Sequence, residues 1–377
     1  MSILVLGGGF AGVAAAFAAR QAGVPVTVVQ YRPGASALYA GVVDGELEPH
    51  DSLAGLATAL GLRLRPTVVA TREGVVRGAH GSDSAVLDLK PLAGKLIGVV
   101  DVPRDDWDGP LLARSYRESD WARSTRTRFE VVPLELLEKS HQRRVSSFDF
   151  AISFERPERP AWLNEVLKAH AGPDAWLFGP WLGVKRPLAS ELTQSVGVPI
   201  GEVTSPPGGV AGARFEARRD ALLASLGVEV VLARALEARP TDTGVALRLE
   251  DGRELWADLL VVAAGGFVSG ALELSGALSG AVPAGFQLGL QGLEPVQLLG
   301  EPARPVSSLY GVDLAARGRR LLERVGVPVS AEGRALGAAR VFAAGDLLGA
   351  PPPSVGQALT SGLRAGSSAA SACKSPR

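Results

Sequence analysis

The sequence predicts an α/β protein: a parallel sheet with a small β-meander, and a second α/β lobe inserted into it. A glycine-rich turn joins an apolar run to a helix-forming segment near the start, and another apolar run ends in Gly-Asp near the other end. Between them, apolar runs alternate with helix-length segments, which is typical of parallel sheets. We assign 1–89, 206–275 and 331–377 to the main domain, 90–205 to the inserted lobe and 276–330 to a cap or connecting segment.

The first element is a strand, turn, helix and strand. Ile3 to Leu6 is apolar, the turn follows, an alanine-rich tract reaches Arg20, and Val24 to Val29 is a second apolar run. This order is that of a Rossmann-like FAD/NAD(P)-binding domain, in which glycines let the backbone approach a pyrophosphate at a helix N-terminus. The alternative is a glycine-rich packing turn. We expect the cofactor to contact Gly7, Gly8, Gly9, Phe10, Ala11 and Gly12.

Composition excludes several classes of function. The 39 basic and 39 acidic side chains of the 377 residues balance, so no nucleic-acid-binding surface is indicated. Cys373 is the only cysteine, which excludes an internal disulfide, a CxxC pair and an iron–sulfur ligand set. The four histidines have no metal-ligand spacing, so we predict no metal site. Without a basic segment before the first apolar run, we expect no signal peptide and a cytoplasmic protein.

The middle of the chain has a βα pattern. Gly94 to Val102 is predicted to be a buried strand that opens the inserted lobe. Apolar spacing places helices at His50–Leu62, Trp107–Ser119 and Trp162–Ala169. The remaining predicted strands are Thr67–Ala70, Ser84–Leu89, Arg128–Val132 and Ala175–Gly179.

The later part returns to the main domain. An amphipathic helix opens at Ala211–Arg214, and strands follow at Val228–Leu232 and Gly244–Leu249. A further strand runs from Arg253 to Gly266, and its glycine end adds Gly265 to the predicted cofactor contacts. The last strand is Ala339 to Asp346, and a helix of small residues extends from Ser354 to Ser371.

The Gly345–Asp346 pair predicts a flavin site. A strand that ends in Asp delivers a carboxylate to the edge of the sheet where ligands bind. There, Asp346 can accept a hydrogen bond from a ribityl hydroxyl, and the helix that contains Gly356 and Gln357 aims its N-terminus at the flavin ring. The alternative is an Asp that caps the following loop. Two cofactor motifs at opposite ends of the chain favour flavin over nicotinamide.

Other predicted site residues carry weaker signals. Gln30 stands where a carboxylate normally holds an adenosine ribose, which leaves a mononucleotide flavin open. Ser36 and Ala37 are small residues in the loop after the second strand, where either a cofactor or an ordinary polar loop fits. Arg214, with Arg218 or Arg219, is a candidate for binding a substrate phosphate, and the alternative is a solvated basic helix face. The sequence ranks no histidine as a catalytic base.

The chain resembles the second of the three subunits of anaerobic glycerol-3-phosphate dehydrogenase in the order and spacing of its motifs. Besides the first turn, the likeness lies in Ser36–Leu38, Gly94–Val102, Pro206–Arg214, Ala263–Gly270 and Val341–Gly345. This resemblance implies a flavin-dependent enzyme subunit that oxidises sn-glycerol 3-phosphate to dihydroxyacetone phosphate and passes electrons to quinone. It implies FMN, where the fold alone indicates FAD. It also implies an FAD-binding catalytic partner subunit and a membrane-attached iron–sulfur subunit that brings this chain to the inner membrane face. Another oxidoreductase of this fold and a non-catalytic, flavin-binding assembly subunit remain alternatives.

Overall fold

A computed structural model describes residues 1–170, 172–275, 285–293, 325–349 and 353–374. It divides into two compact units. The first unit comprises 1–36, 45–56 and 221–377, and the second comprises 37–44 and 57–220. The second unit therefore extends beyond the 90–205 lobe of the sequence prediction on both sides, because the short strands of 57–83 and the helix after 209 pack with it. Most of the 276–330 cap segment lies outside the described residues.

The regular elements follow in chain order. Up to the middle of the second unit they are β1 Ile3–Leu6, α1 Phe10–Gln21, β2 Val26–Gln30, β3 Val42–Val43, α2 Leu53–Ala59, β4 Leu62–Arg63, β5 Thr67–Ala70, β6 Val76–Ala79, β7 Gly81–Asp83, β8 Leu96–Asp101, α3 Gly109–Glu118, α4 Asp120–Thr125 and β9 Arg128–Pro133. They continue with α5 Ser147–Ser153, α6 Arg159–Ala169, β10 Ala175–Phe178, α7 Ala189–Val196, β11 Ile200–Glu202, α8 Val210–Ser225, β12 Glu229–Leu232, β13 Ala235–Pro240, β14 Val245–Leu249, β15 Glu254–Ala257, β16 Leu259–Val262, β17 Leu272–Ser275, β18 Gly285–Leu288, β19 Val341–Ala343 and α9 Val355–Lys374.

The first unit is built on a five-stranded sheet in the order β12-β2-β1-β16-β19. Every neighbouring pair in it is parallel. The chain leaves β1 for β2 on one side and later returns to β16 on the other. The strand order therefore reverses beside β1, and in open α/β sheets ligands bind outside the carboxyl ends of the strands at such a point. This sheet confirms the predicted Rossmann-like fold class.

Helices α1 and α9 pack on each other through residues without bulky side chains. A Cβ on Gly362 would lie 2.3 Å from the carbonyl oxygen of Ala11, and one on Gly366 would lie 2.2 Å from that of Ala15. Residues Phe10 to Ala19 of α1 are all buried, so the alanine-rich tract is an internal helix. No helix within the described ranges combines the length and apolar character needed to cross a membrane.

The small β-meander is antiparallel, in the order β13-β14-β15. The sequence prediction missed β13 and fused β15 with β16. They are separate because Asp258, between them, accepts a hydrogen bond from the backbone N–H of Ser2 at 2.8 Å, where the chain changes sheets.

The second unit has its own parallel sheet, in the order β11-β10-β8-β9. After the carboxyl ends of β8 and β10, Trp107 and Trp181 meet edge to face with ring centroids 5.1 Å apart. The buried guanidinium of Arg104 lies over the ring of Phe150, 4.5 Å from its centroid. The predicted strands and helices of this unit are confirmed except one. Ser84–Leu89 is not a strand, because the Asp83 carboxylate accepts the backbone N–H of Ala85 at 2.7 Å and turns the chain.

Candidate functional site

The turn between β1 and α1 requires glycine for geometric reasons. Gly7 has φ +109°, and a Cβ there would lie 2.2 Å from the carbonyl oxygen of Ala263, at the end of β16. A Cβ on Gly12 would lie 1.8 Å from the oxygen of Gly7, so only glycine lets α1 start this close to the turn. The turn is therefore pressed against the strand end beside it, where the strand order reverses.

Gln30 and Ser36 close over the next two glycines. A Cβ on Gly8 would lie 1.8 Å from Oε1 of Gln30, and one on Gly9 would lie 2.7 Å from Oγ of Ser36. The N-cap residue Gly9 has no side chain to cap α1, and Ser36 takes that role by accepting the backbone N–H of Phe10 at 3.0 Å. The structure thus brings Gln30 and Ser36 to the helix N-terminus, where an anionic group is favoured.

The loop after β16 reaches the Gly-Asp motif. Gly265 has φ +85°, and a Cβ on Gly266 would lie 2.9 Å from the carbonyl oxygen of Asp346 and 3.2 Å from its Cβ. Since β1, β16 and β19 are adjacent and parallel, their carboxyl ends share one edge of the sheet. The two motifs from opposite ends of the sequence therefore lie at the same edge of one sheet in one unit.

Asp346 lies in a short 3₁₀ turn, Gly345–Leu347, directly after β19. Its side chain is partly buried, and this burial raises the pKa of its carboxyl group above the ordinary value of 3.8. In the part of the chain that the structure describes, its carboxylate accepts no hydrogen bond. Because Asp346 is of intermediate burial, its carboxylate is still open to solvent and keeps its capacity to accept hydrogen bonds from a ligand.

Helix α9 supplies a second such acceptor. Gln357 is 6% exposed, and its Nε2 donates to the carbonyl oxygen of Gly345 at 3.1 Å. Its Oε1 is buried and has no hydrogen-bond partner among the described residues. The preceding Gly356 is also buried in the first turn of α9, and Ser354 accepts the backbone N–H of Gln357 at 3.1 Å. This places both predicted residues beside the Gly-Asp motif.

Ala37 belongs to the second unit, unlike the other predicted cofactor contacts. Its carbonyl oxygen lies 2.1 Å from the position of a Cβ on Gly212, so it forms the close approach to α8. That packing gives a structural reason for glycine at position 212. The loop after β2 thus contributes Ser36 to the site of the first unit, whereas Ala37 packs against α8 in the second.

Arg214 does not have the predicted role. Its side chain is fully buried, and its two terminal nitrogens donate to the carboxylate of Glu202 at 2.6 and 2.8 Å. Its Nε donates to the carbonyl oxygen of Gly183 at 2.8 Å. Burial alone lowers the pKa of Arg214, but the adjacent carboxylates outweigh burial and raise it. Arg214 is a buried structural cation, and a substrate phosphate has no access to it.

The next arginine of α8 is also held by protein groups. Arg218 donates to Asp83 at 2.9 Å and to the carbonyl oxygens of Leu60 and Gly61 at 3.1 and 3.3 Å. The basic residues of α8 that look like a phosphate site in the sequence instead bind the second unit together. Sequence reasoning missed their partner Glu202, and it also missed Ser361, whose Oγ accepts the backbone N–H of Gly345 at 3.0 Å.

Comparison with protein-family models gives no match, and comparison with curated proteins gives none either. Among solved structures, the chain is similar to a flavoprotein/dehydrogenase from Cytophaga hutchinsonii, with 12% identity, a TM-score of 0.37 and coverage of 99% of this chain and 79% of that one. It is also similar to the thioredoxin reductase of T. acidophilum, with 13% identity, a TM-score of 0.27 and coverage of 99% of both chains. A third similar structure is the Diels-Alderase PyrE3, with 13% identity and a TM-score of 0.34. The match covers 96% of this chain and 63% of that one, so this chain spans less than two thirds of that protein. The fold class rests on the sheet order and the glycine geometry described above, not on these similarities.

Proposed function

We propose that this chain is a flavin-dependent oxidoreductase. The observation that carries the proposal is the shared sheet edge: the glycine turn before α1 and the carboxylate of Asp346 lie at the ends of parallel strands in one unit. Neither feature alone is specific. Together they provide an anion site and a carboxylate acceptor at one edge, as a nucleotide with a polyol chain and a polar ring requires.

The residues present fit a flavin in the chemistry of their donors and acceptors. The N-terminus of α1 offers backbone N–H groups, which suit a phosphate. Oε1 of Gln357 is a buried acceptor without a partner in the described structure, and the carboxylate of Asp346 is an acceptor of intermediate burial beside it. Both suit the hydroxyl donors of a ribityl chain or the N–H donor of the ring. A buried acceptor that lacks a donor is destabilising, so a ligand that supplies one is favoured.

Each residue then has a defined task. The glycine turn admits the phosphate, Ser36 holds the first turn of α1, and Asp346 orients the ligand by accepting a hydroxyl hydrogen bond. The N-terminus of α9 favours negative charge placed before it. A bound flavin supplies the capacity to accept two electrons from a substrate, which the chain's own side chains lack.

The proposed substrate is inferred from the resemblance in sequence. We propose oxidation of sn-glycerol 3-phosphate to dihydroxyacetone phosphate, with electrons passed through an FAD-binding subunit and a membrane-attached iron–sulfur subunit to quinone. With Arg214 committed to Glu202, we assign no residue to the substrate phosphate. Gln30 lies over Gly8, where it offers an amide and not a carboxylate to an adenosine ribose, and this favours FMN over FAD.

The first experiment is the mass of the cofactor released when the purified protein is denatured. FMN or FAD supports the proposal, and a protein that contains and takes up neither contradicts it. The second is anaerobic titration of the flavin-loaded protein with glycerol 3-phosphate, using glycerol and inorganic phosphate as controls. Bleaching by glycerol 3-phosphate alone supports the substrate. A flavin that dithionite reduces and glycerol 3-phosphate does not would contradict direct oxidation by this chain.

A further inference from the structure

Helix α9 holds the peptide groups on both sides of Gly345. The backbone N–H of Gly345 donates to Oγ of Ser361 at 3.0 Å, and its carbonyl oxygen accepts Nε2 of Gln357 at 3.1 Å. Ser361 is 1% exposed and Gln357 is 6% exposed, so water does not compete for either bond. Both polar groups of the residue before Asp346 are therefore fixed by one helix.

The network settles the direction of each hydrogen bond. The Ser361 hydroxyl donates to the carbonyl oxygen of Gln357 at 2.6 Å, which leaves its oxygen to accept from Gly345. A carbonyl oxygen only accepts, so the amide of Gln357 must present Nε2 to Gly345 and not Oε1. The amide cannot flip to give Oε1 a partner without losing this bond.

Gly345 is also confined by its packing. It has φ +75°, and a Cβ there would lie 2.8 Å from the Cβ of Ala11 in α1. The position thus combines a left-handed backbone, close contact with α1 and two hydrogen bonds from α9. Because a peptide chain has only two soft dihedrals per residue, fixing Gly345 on both sides sets the direction in which the next residue leaves.

We propose that Ser361 and Gln357 are positioning residues, which grip Gly345 so that Asp346 presents its carboxylate to the ribityl hydroxyls of a bound flavin. This inference rests on the proposed function for the identity of the ligand. The inference goes beyond the proposed function because it gives Ser361, which lies outside every cofactor motif in the sequence, a role in positioning Asp346.

The test compares Ser361→Ala with Thr360→Val. Thr360 is the neighbouring buried residue, and its hydroxyl donates to the carbonyl oxygen of Gly356 at 3.0 Å without bonding Gly345. We expect Ser361→Ala to weaken the affinity for FMN or FAD about 10-fold, because the buried N–H of Gly345 loses its acceptor and the backbone before Asp346 is no longer held. We expect Thr360→Val to stay within about 2-fold of the parent when flavin binding is measured by the quenching of tryptophan fluorescence.

A double-mutant cycle separates positioning from general stability. If Ser361 acts through Asp346, Ser361→Ala should have little further effect on flavin affinity in an Asp346→Asn background, because the group that it positions is gone. Fully additive effects of the two substitutions on the dissociation constant would overturn the proposal. So would a loss of affinity in Thr360→Val equal to that in Ser361→Ala.

A measurement without flavin keeps the two proposals distinct. In the apo-protein, Ser361→Ala should lower the pKa of the Asp346 carboxyl towards its ordinary value, because a released carboxyl gains water. This is followed by carbon-13 NMR of labelled aspartate, with Thr360→Val as the control. A protein that binds no flavin refutes the proposed function, whereas an unchanged Asp346 titration in Ser361→Ala refutes the positioning role.

Discussion

The carbonyl oxygen of Ala11 lies 2.3 Å from the place that a Cβ on Gly362 would occupy. Helices α1 and α9 therefore approach each other as closely as their backbones allow. Gly345, which follows the last strand, packs against the same residue: a Cβ on Gly345 would lie 2.8 Å from the Cβ of Ala11. The spacing of the two helices thus determines where the turn before Asp346 can lie.

We expect Gly362→Ala to destabilise the protein by about 1–3 kcal/mol, because the new methyl group forces the helices apart. Thermal unfolding measures the change. Gly34→Ala is the matched control, since a Cβ at Gly34 meets no atom within 4 Å and Gly34 has no positive φ. Equal unfolding temperatures for the two variants would contradict the close approach of the helices.

Gly9→Ala tests the phosphate end of the site. Its Cβ would lie 2.7 Å from Oγ of Ser36, a side chain that can move, so we expect the fold to persist. Flavin affinity should fall at least about 10-fold, because the methyl group occupies the approach of the phosphate. Equilibrium binding followed by flavin fluorescence measures this. Unchanged affinity together with unchanged unfolding temperature would place the phosphate elsewhere.

Asp346→Asn should stabilise the apo-protein at neutral pH and weaken flavin binding. Burial raises the pKa of Asp346, so at a pH between the unfolded and folded pKa values the folded protein keeps the carboxyl proton that the unfolded chain has lost. The free energy of unfolding therefore falls as the pH rises from the pKa of Asp346 in the unfolded chain through its pKa in the folded protein. The substitution removes that loss. Denaturant unfolding across this pH range should give a flatter profile for Asp346→Asn, with flavin affinity about 10-fold lower. A variant that loses stability at neutral pH would contradict a desolvated carboxylate at position 346.

The buried pair of Arg214 and Glu202 gives a prediction for the second unit. Arg214→Met or Glu202→Gln should each cost about 3–5 kcal/mol, because each leaves one buried group without its partner. The combined change should cost less than the sum of the two. In the exposed pair of Arg114 and Glu118, Arg114→Met should cost less than about 1 kcal/mol. Chemical denaturation compares them, and an Arg214→Met variant as stable as Arg114→Met would refute the structural role.

The fold class and the cofactor end of the site follow from local sequence patterns. The first apolar run with its glycine turn, and the last apolar run with Asp346, each fit within about ten residues, and their consequences for backbone geometry are local. The strand error at Ser84–Leu89 has a different origin. Its alternation looks like a strand, but the side chain of Asp83 bonds the backbone of Ala85 and turns it. A side-chain hydrogen bond of this kind competes with strand pairing for the backbone groups, and the alternation of apolar and polar residues does not show which of the two forms.

Long-range partners could not be predicted. Arg214 at the start of a helix looks like an anion site, because nothing nearby in the sequence marks Glu202 as its partner across the core. Ser361 is one of several serines in a helix of small residues, and only the folded chain brings it to Gly345. The distant contacts therefore remove Arg214 from the candidate site and bring Ser361 into it.

The order of strands also has a consequence for how the protein folds. In the first unit, β1 pairs on one side with β2, close by in the chain, and on the other with β16, residues 259–262, which itself pairs with β19 at 341–343. Contacts between such distant segments close large loops and slow folding. Until they form, one edge of β1 stays open to wrong pairing, so nascent or refolding chains should depend on chaperones or on dilution. A ligand that binds at the edge shared by β1, β16 and β19 would then be captured late in folding, because its site forms only when these distant strands have paired.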